Sequence, residues 1–209
     1  MINSPIEDRE LVLKMQSGDL EALGELYDRH RCMVYRTALA ITGDPELAND
    51  LLQDVFLRLN RFADRIDPQR PLEPWLYRMT ANLAYTAMKR WQRSLRLLEE
   101  KFDWFLIGSS KNSPQELTEE QDEWRRVETA LFDLPLAQRV VVVLFYLNEF
   151  SLQEIAETLK IPLGTVKSRL HYGRRSLQYC LQDRPLAENR PVPDGTSCSA
   201  LSYEGQYAS

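Results

Sequence analysis

The sequence predicts an all-α protein made of two helical domains joined by a flexible linker. Apolar residues recur at helical spacing in both halves of the 209-residue chain, and the first hundred residues contain no alternating strand pattern. Helix-capping residues separate these segments, most clearly at Asp44-Pro45 and at Ser151. An acidic stretch with glycine, serine and proline, residues 99–124, divides the helical pattern into two parts and is the predicted linker.

The first domain, residues 1–98, is predicted to be a bundle of three or four helices. A short amphipathic helix covers Glu7–Gln16. The next helix is capped by Asp19 and ends at Gly43, because glycine favours the left-handed conformation of a C-terminal cap. Asp44-Pro45 then begins a third helix. Three prolines within residues 64–74 exclude a continuous helix there, and a last helix runs from about Trp75 to Leu98.

The last helix of the first domain combines positive charge with aromatic rings. Between Glu73 and Glu99 no residue is acidic, whereas five are cationic and four are aromatic: Arg78, Lys89, Arg90, Arg93, Arg96, Trp75, Tyr77, Tyr85 and Trp91. Cations bind phosphates and rings stack on unpaired bases, so this segment suits single-stranded or melted nucleic acid. A second interpretation stays open, in which the rings belong to the core and the cations form a solvated face.

The second domain, residues 125–182, contains a predicted helix-turn-helix. Ser151 and Glu154 form a capping box at the start of its first helix, and Pro162 suits the first position of the second. No acidic residue occurs within residues 158–182, so the outer face of the second helix is basic. Such a helix enters the major groove of DNA. A plain helical hairpin with a solvated basic face is the alternative.

Two further segments of the second half are less distinctive. The run Arg139–Leu147 is rich enough in β-branched residues for a buried strand. Its helical neighbours and the lack of a pairing partner favour a buried helix that supports the helix-turn-helix. Residues 183–209, with several prolines and serines, are predicted to be a disordered tail. The tail is either a regulatory extension or dispensable.

Composition excludes several classes of protein. The net charge of −5 comes from the linker and the tail, which leaves locally basic surfaces elsewhere. No apolar run reaches the roughly 18 residues of a membrane span, and no signal peptide is visible, so we expect a cytoplasmic protein without membrane insertion. No catalytic or nucleotide-binding motif occurs, and the only histidines are His30 and His171. We therefore expect no catalytic residue, no metal site and no cofactor.

Together the two halves resemble the extracytoplasmic-function (ECF) sigma factors of bacteria over roughly residues 9–182. The segments GDLEALGELYDRH, AITGDPELANDLLQDVFLRL and PWLYRMTANLAYTAMKR are similar to successive parts of that family's region 2. The segment LPLAQRVVVVLFYLNEFSLQEIAETLKIPLGTVKSRLHYGRRSL is similar to its region 4. The resemblance implies an alternative sigma factor that binds core RNA polymerase, directs promoter-specific initiation and is controlled by an anti-sigma factor.

The resemblance also implies roles for single residues. The coiled coil of the polymerase's largest subunit would be bound by a set within DLLQDVF: Asp50, Leu51, Gln53, Asp54 and Phe56. The melted −10 element would be bound by Arg78, Asn82, Lys89, Arg90 and Arg93. The −35 element or its phosphates would be bound by Thr165, Lys167, Ser168, Arg169, His171, Tyr172, Arg174 and Arg175. Helical spacing gives Leu51 and Phe56 a second possible place, in the core.

Two departures from the family pattern leave the promoter sequence open. Leu72-Glu73 stands where the family often has Phe-Arg, in the loop that shapes the pocket for a flipped −10 base. Tyr172 stands where many members have arginine, which removes a contact suited to guanine.

Two other classes of protein were weighed. A transcriptional regulator with a LuxR-like C-terminal helix-turn-helix would also fit EIAETLKIPLGTVKSRL, but it predicts strands in the first half. A helical adaptor that binds no DNA leaves both acid-free basic stretches unexplained.

Overall fold

The structure, a computed structural model, describes residues 5–99 and 119–181, with side chains over residues 8–94 and 126–181. Every regular element in these ranges is helical, which confirms the all-α class. The first domain contains α1 (Pro5–Gln16), α2 (Leu20–Thr42), α3 (Pro45–Arg61), a 3₁₀ turn (Ala63–Arg65) and α4 (Glu73–Glu99). The second domain contains α5 (Glu119–Phe132), α6 (Leu136–Tyr146), α7 (Leu152–Leu159) and α8 (Leu163–Leu181). The strands that a LuxR-like regulator predicts for the first half do not occur in its described residues.

The predicted caps account for where α2 and α3 begin and end. The Asp19 carboxylate accepts hydrogen bonds from two backbone amides of the first turn of α2. Gly43 ends that helix with φ of 73° and donates its backbone N–H to the Leu39 carbonyl at 2.8 Å. Asp44 caps α3 in the same way, and Pro45 occupies its first turn. These local contacts set the break between the two helices.

The helix-turn-helix also begins as predicted. Ser151 and Glu154 exchange the two hydrogen bonds of a capping box at the start of α7. Lys160 ends α7 in the left-handed region, with φ of 52° and ψ of 48°. The Pro162 carbonyl then accepts from the N–H groups of Thr165 and Val166, at 2.9 and 3.2 Å. Pro162 therefore lies just before α8 rather than within it.

The first domain has its own core, onto which α1 is docked. Leu11, Val12 and Met15 of α1 are buried in a cluster with apolar residues of α2, α3 and α4. The side-chain amide of Gln16 donates to the carbonyls of Ala63 and Ile66, at 2.9 and 2.8 Å. Because these two bonds span some 50 positions of sequence, α1 holds the 3₁₀ turn that leads toward α4.

The second domain is organised around α6, which confirms the helical interpretation of Arg139–Leu147. Its four consecutive valines, residues 140–143, are all buried. α8 crosses α6 at Gly173, where a Cβ atom would lie 2.8 Å from Cγ2 of Val142. The absence of a side chain at Gly173 therefore permits this close crossing.

The described parts of the two domains pack against each other. One apolar cluster contains buried residues of α2, α3 and α4 together with those of α6 and α8. The linker predicted at 99–124 overlaps the last residue of α4 and the start of α5, and residues 100–118 lie outside the described ranges. The tail predicted at 183–209 also lies outside them. Among the described helices, none combines the length and apolar character that crossing a bilayer requires.

Candidate nucleic-acid interface

The residues predicted to bind the −35 element lie on α8, away from its buried side. Val166, Leu170 and Gly173 face the core. At about 100° per residue, the predicted contacts are distributed over the remaining surface. Six are exposed: Lys167, Ser168, His171, Tyr172, Arg174 and Arg175. Thr165 and Arg169 are half-buried on one flank.

A shallow open groove runs along the other flank of α8. Lys167, His171, Arg174 and Arg175 line it together with Gln178, which the sequence analysis did not single out. Gln178 stands four residues after Arg174, so helical spacing alone identifies it. The sequence of α8 has no carboxylate, so the potential in this groove is positive. The groove suits a phosphate-bearing strand.

The residues predicted to bind the −10 element follow one face of α4. Arg78, Asn82, Lys89 and Arg93 are separated by four, seven and four positions, which places them on one side of the helix. Arg90 is exposed on an adjoining face. The Lys89 ammonium lies 4.6 Å from the centroid of the Tyr85 ring on this same side.

The aromatic residues of α4 divide between the two interpretations that the sequence left open. The Tyr77 ring packs edge-on against Phe150 of the second domain, with centroids 5.9 Å apart, and burial raises the pKa of its phenol. Tyr77 is therefore a packing residue. Tyr85 is half-buried beside Lys89, whereas Trp91 is 56% exposed. These two rings remain accessible to a ligand.

Arg78 faces the second domain as well as solvent. A terminal nitrogen of its guanidinium lies 3.9 Å from a carboxylate oxygen of Glu157 on α7. Its Nε is buried without a hydrogen-bond partner. The first cation of the predicted −10 face is thus partly covered by the helix-turn-helix.

The residues predicted to bind polymerase divide between the surface and the core of α3. Asp50 and Gln53 are exposed, and Asp54 is half-buried with its carboxylate 3.2 Å from Nε of Arg58. Leu51 and Phe56 are only 6% and 5% exposed. Their side chains lie in the core, where Phe56 packs on the Tyr27 ring at 4.9 Å between centroids.

Leu57 is the apolar residue that the surface of α3 presents instead. It is 68% exposed and lies four residues after Gln53 and seven after Asp50, hence on the same face. The sequence analysis missed it. Helical periodicity separates Leu57 from Phe56 by about 100° around α3, which is the signal that distinguishes them.

A cluster of possible metal ligands occurs at the junction of α1, α2 and α4. Donor atoms of Asp8, His30 and Glu73 lie within 4.8 Å of one another. The Asp8 carboxylate is already hydrogen-bonded to Nε2 of His30 at 2.8 Å and paired with Arg29 at 3.3 Å. We interpret the cluster as the polar part of the α1 docking site, since a guanidinium already compensates the buried carboxylate.

Family comparisons agree with the two-domain arrangement. The model of Sigma-70 region 2 matches residues 26–94, and the model of Sigma-70 region 4 matches residues 124–177. Helices α2 to α4 thus correspond to region 2, and α5 to α8 to region 4, whereas α1 precedes the matched part. Two solved structures share the fold. One is the sigma factor RpoE of Bartonella quintana in complex with the anti-sigma factor NepR, with a TM-score of 0.59 and 24% identity over 77% of this chain and 98% of that one. The other is CnrH in complex with the cytosolic domain of CnrY, with a TM-score of 0.58 and 24% identity over 86% and 99%.

Curated relatives give the family. The ECF RNA polymerase sigma factor SigW of Bacillus subtilis (strain 168) is 27% identical over 190 residues, which cover 84% of this chain and 97% of SigW. The ECF RNA polymerase sigma factor SigL of Mycobacterium tuberculosis (strain ATCC 25618 / H37Rv) is 34% identical over 160 residues, which cover 76% of this chain and 88% of SigL. With both sigma regions in order and relatives matched over most of their length, the chain belongs to the ECF RNA polymerase sigma factors.

Proposed function

We propose that this chain is an alternative sigma factor that binds core RNA polymerase, directs it to a restricted set of promoters, and catalyses no reaction itself. The observation that carries the proposal is the pairing of two carboxylate-free basic surfaces on different domains. One runs along α8 and the other along residues 74–98 of α4. Two such surfaces suit the two separate elements of a bacterial promoter.

In this proposal α8 is the recognition helix for the −35 element. The N-terminal residues of such a helix meet base edges, which makes Thr165 and Ser168 the candidates for direct readout. The cations in the groove then hold phosphates, which fix the register of the helix without reading sequence. Tyr172 offers a ring and a hydroxyl rather than a bidentate guanidinium, so a preference for guanine opposite it is not expected.

In the same proposal α4 captures the melted −10 element. Asn82 is exposed, and its amide offers both a donor and an acceptor to a base edge. Lys89 and Arg93 lie further along the same face, where they would hold phosphates of the separated strand. Extruding a base costs a few kcal/mol, which these contacts would have to offset.

The outer face of α3 is the proposed docking surface for polymerase. It presents Asp50, Gln53 and Asp54 around Leu57, an arrangement of polar rim and apolar centre that is typical of protein interfaces. The coiled coil of the polymerase's largest subunit is the partner that the family resemblance implies. Leu51 and Phe56 contribute indirectly, because their burial between α2 and α3 keeps this face rigid.

The proposal includes a site of action and a regulator. Promoter DNA and core polymerase are in the bacterial cytoplasm, so the protein acts there. An anti-sigma factor is the proposed regulator, and the shared fold with RpoE, which was solved bound to NepR, supports this.

The test is run-off transcription with core polymerase and fragmented genomic DNA. The unchanged chain should give discrete transcripts that core enzyme alone does not give. Replacing Gln53 and Asp54 by alanine should abolish both the transcripts and co-purification with core enzyme, with the helical content unchanged. Asp28→Ala is the control, because Asp28 is an exposed carboxylate of α2 outside the α3 face. Promoter-independent transcription by the unchanged chain, or full co-purification of the double variant, would refute the assignment.

A further inference from the structure

The surface between the two domains combines a modest apolar contact with specific polar bonds. The first domain contributes four alanines to the shared cluster: Ala38, Ala48, Ala81 and Ala84. Small side chains allow a close approach, but each buries little apolar area. Contacts between domains with such a composition resemble transient protein–protein interfaces more than a single core.

Arg139 of α6 provides one polar bond across this surface. It is 8% exposed and donates to the Ile41 carbonyl of α2 at 2.9 Å and to the Phe132 carbonyl of α5 at 2.7 Å. Both acceptors belong to C-terminal turns, whose carbonyls lack partners within the helix and attract cations. Neither α2 nor α5 carries a basic residue of its own in its last turn. Arg139 therefore supplies that charge to both helices while the domains are together.

Asn148, between α6 and α7, provides a second polar bond. Its side-chain amide donates to the Thr37 hydroxyl of α2 at 3.0 Å, and both residues are buried. The Thr37 hydroxyl donates in turn to the Met33 carbonyl at 2.9 Å, so its lone pair is aimed at the second domain. When the domains separate, water replaces this bond on both sides. Removing the hydroxyl therefore penalises only the associated state.

The associated state is incompatible with reading both promoter elements at once. Near Arg78, α7 contacts α4, and α8 packs on α7. With helices packed 8–10 Å apart, α8 lies roughly 20 Å from that part of α4. Elements centred at −35 and −10 are separated by about 25 base pairs, which is about 85 Å of duplex at ~3.4 Å per base pair. A duplex this short is stiff, so bending does not close the gap.

The contact of α7 with Arg78 adds a direct overlap with the −10 face. Glu157 places a carboxylate beside a guanidinium that the proposed function assigns to DNA phosphate. Both side chains are largely solvated, so this pair adds little binding energy. Its consequence is competition, because one guanidinium cannot serve the carboxylate and a phosphate together.

We propose that the docked second domain is a reversible inhibitory state, in which the Asn148–Thr37 and Arg139–Ile41 hydrogen bonds hold region 4 on region 2 until polymerase separates them. The proposal rests on the proposed function in one respect, namely that α4 and α8 bind DNA. It assigns the face of α2 and α4 around Thr37 and Tyr77 as the docking surface, and the chain's own region 4 as its occupant. Apparent affinity for polymerase is then reduced by the fraction of molecules that are closed.

The test compares two Thr→Val variants of the full chain. Thr37→Val removes the acceptor of the cross-domain bond. Thr80→Val is the matched control, because Thr80 is buried in the first domain and donates within α4, to the Leu76 carbonyl at 2.8 Å. We expect Thr37→Val to shift the ratio of open to closed molecules about tenfold, equivalent to ~1.4 kcal/mol. Small-angle scattering should report a larger radius of gyration, and core polymerase should bind up to tenfold more tightly, while the control matches the unchanged chain.

The outcomes separate the inhibitory state from the proposed function. A Thr37→Val chain that scatters like the unchanged chain, or that opens without a gain in polymerase affinity, would overturn the inhibitory state. Should Thr37→Val unfold by circular dichroism, Asn148→Ala tests the same bond from the other domain, with the same expected results. Loss of the proposed function has a different signature, in which neither the unchanged chain nor the Thr80→Val control binds polymerase.

Discussion

Leu57 allows a quantitative test of the polymerase-binding face. Its side chain is 68% exposed, so about two thirds of its surface is available for burial in a complex. Fully burying a leucine side chain contributes about 1.5–3 kcal/mol, so this residue offers about 1–2 kcal/mol. Leu57→Ala should therefore weaken binding to core polymerase by about 5- to 30-fold. Since the removed atoms are exposed in the free chain, its stability should stay within about 0.5 kcal/mol of the original.

The chain offers a matched control for this experiment. Leu20 is also 68% exposed, but it lies at the first turn of α2 rather than on α3. Leu20→Ala removes the same atoms from the same degree of exposure. Titration of labelled core polymerase should thus distinguish the two variants. Equal affinities for Leu57→Ala and Leu20→Ala would refute the assignment of Leu57 as the apolar centre of the interface.

Three further expectations concern the helix-turn-helix. Gly173→Ala should lower the urea midpoint, because the new Cβ would lie 2.8 Å from a valine methyl of α6 and overpacking typically costs 1–3 kcal/mol, whereas Gly164→Ala, with nothing within 4 Å, should not lower it. Replacing Lys167 and Arg169 by alanine should reduce the salt slope of −35 DNA binding by about one unit per lost phosphate contact; an unchanged slope would remove both from the interface. Hydrogen bonds from the capping serine's hydroxyl and backbone N–H lower the pKa of Glu154, so the stability that it adds is present above the ordinary carboxyl pKa and is lost as pH falls through the depressed value. Helical content measured by circular dichroism should show that loss, and Glu154→Ala should abolish the pH dependence.

The helices were predictable because their boundaries depend on neighbouring residues. The Asp19 cap, the Gly43 stop and the Ser151 capping box are contacts over two to four positions, and each appears as its spacing predicts. The face of a helix is harder to predict. The sequence analysis assigned Phe56 to polymerase binding from the family motif, although the apolar stripe also placed it in the core. One residue further, Leu57 is the apolar side chain that the surface displays.

The contacts between domains were beyond the reach of local patterns. The bond from Arg139 to the Ile41 carbonyl spans 98 positions, and that from Asn148 to Thr37 spans 111. No spacing rule connects residues so far apart. Two signals existed nonetheless in the composition of single helices. A cation beginning the apolar run of α6 needs a partner when buried, and the last turn of α2 contains no cation.

Arg139 also explains why the closed arrangement need not be permanent. Burial lowers the pKa of its guanidinium, and its Nε has no partner, so the associated state leaves part of the charge uncompensated. Breaking one side of a buried polar contact returns that group to water, which offsets part of the cost of separation. An interface of alanines and carbonyl-bound arginine therefore favours a conformational balance over a fixed core. The position of that balance, set by residues far from either DNA-binding face, would determine how much of the protein is ready to bind polymerase.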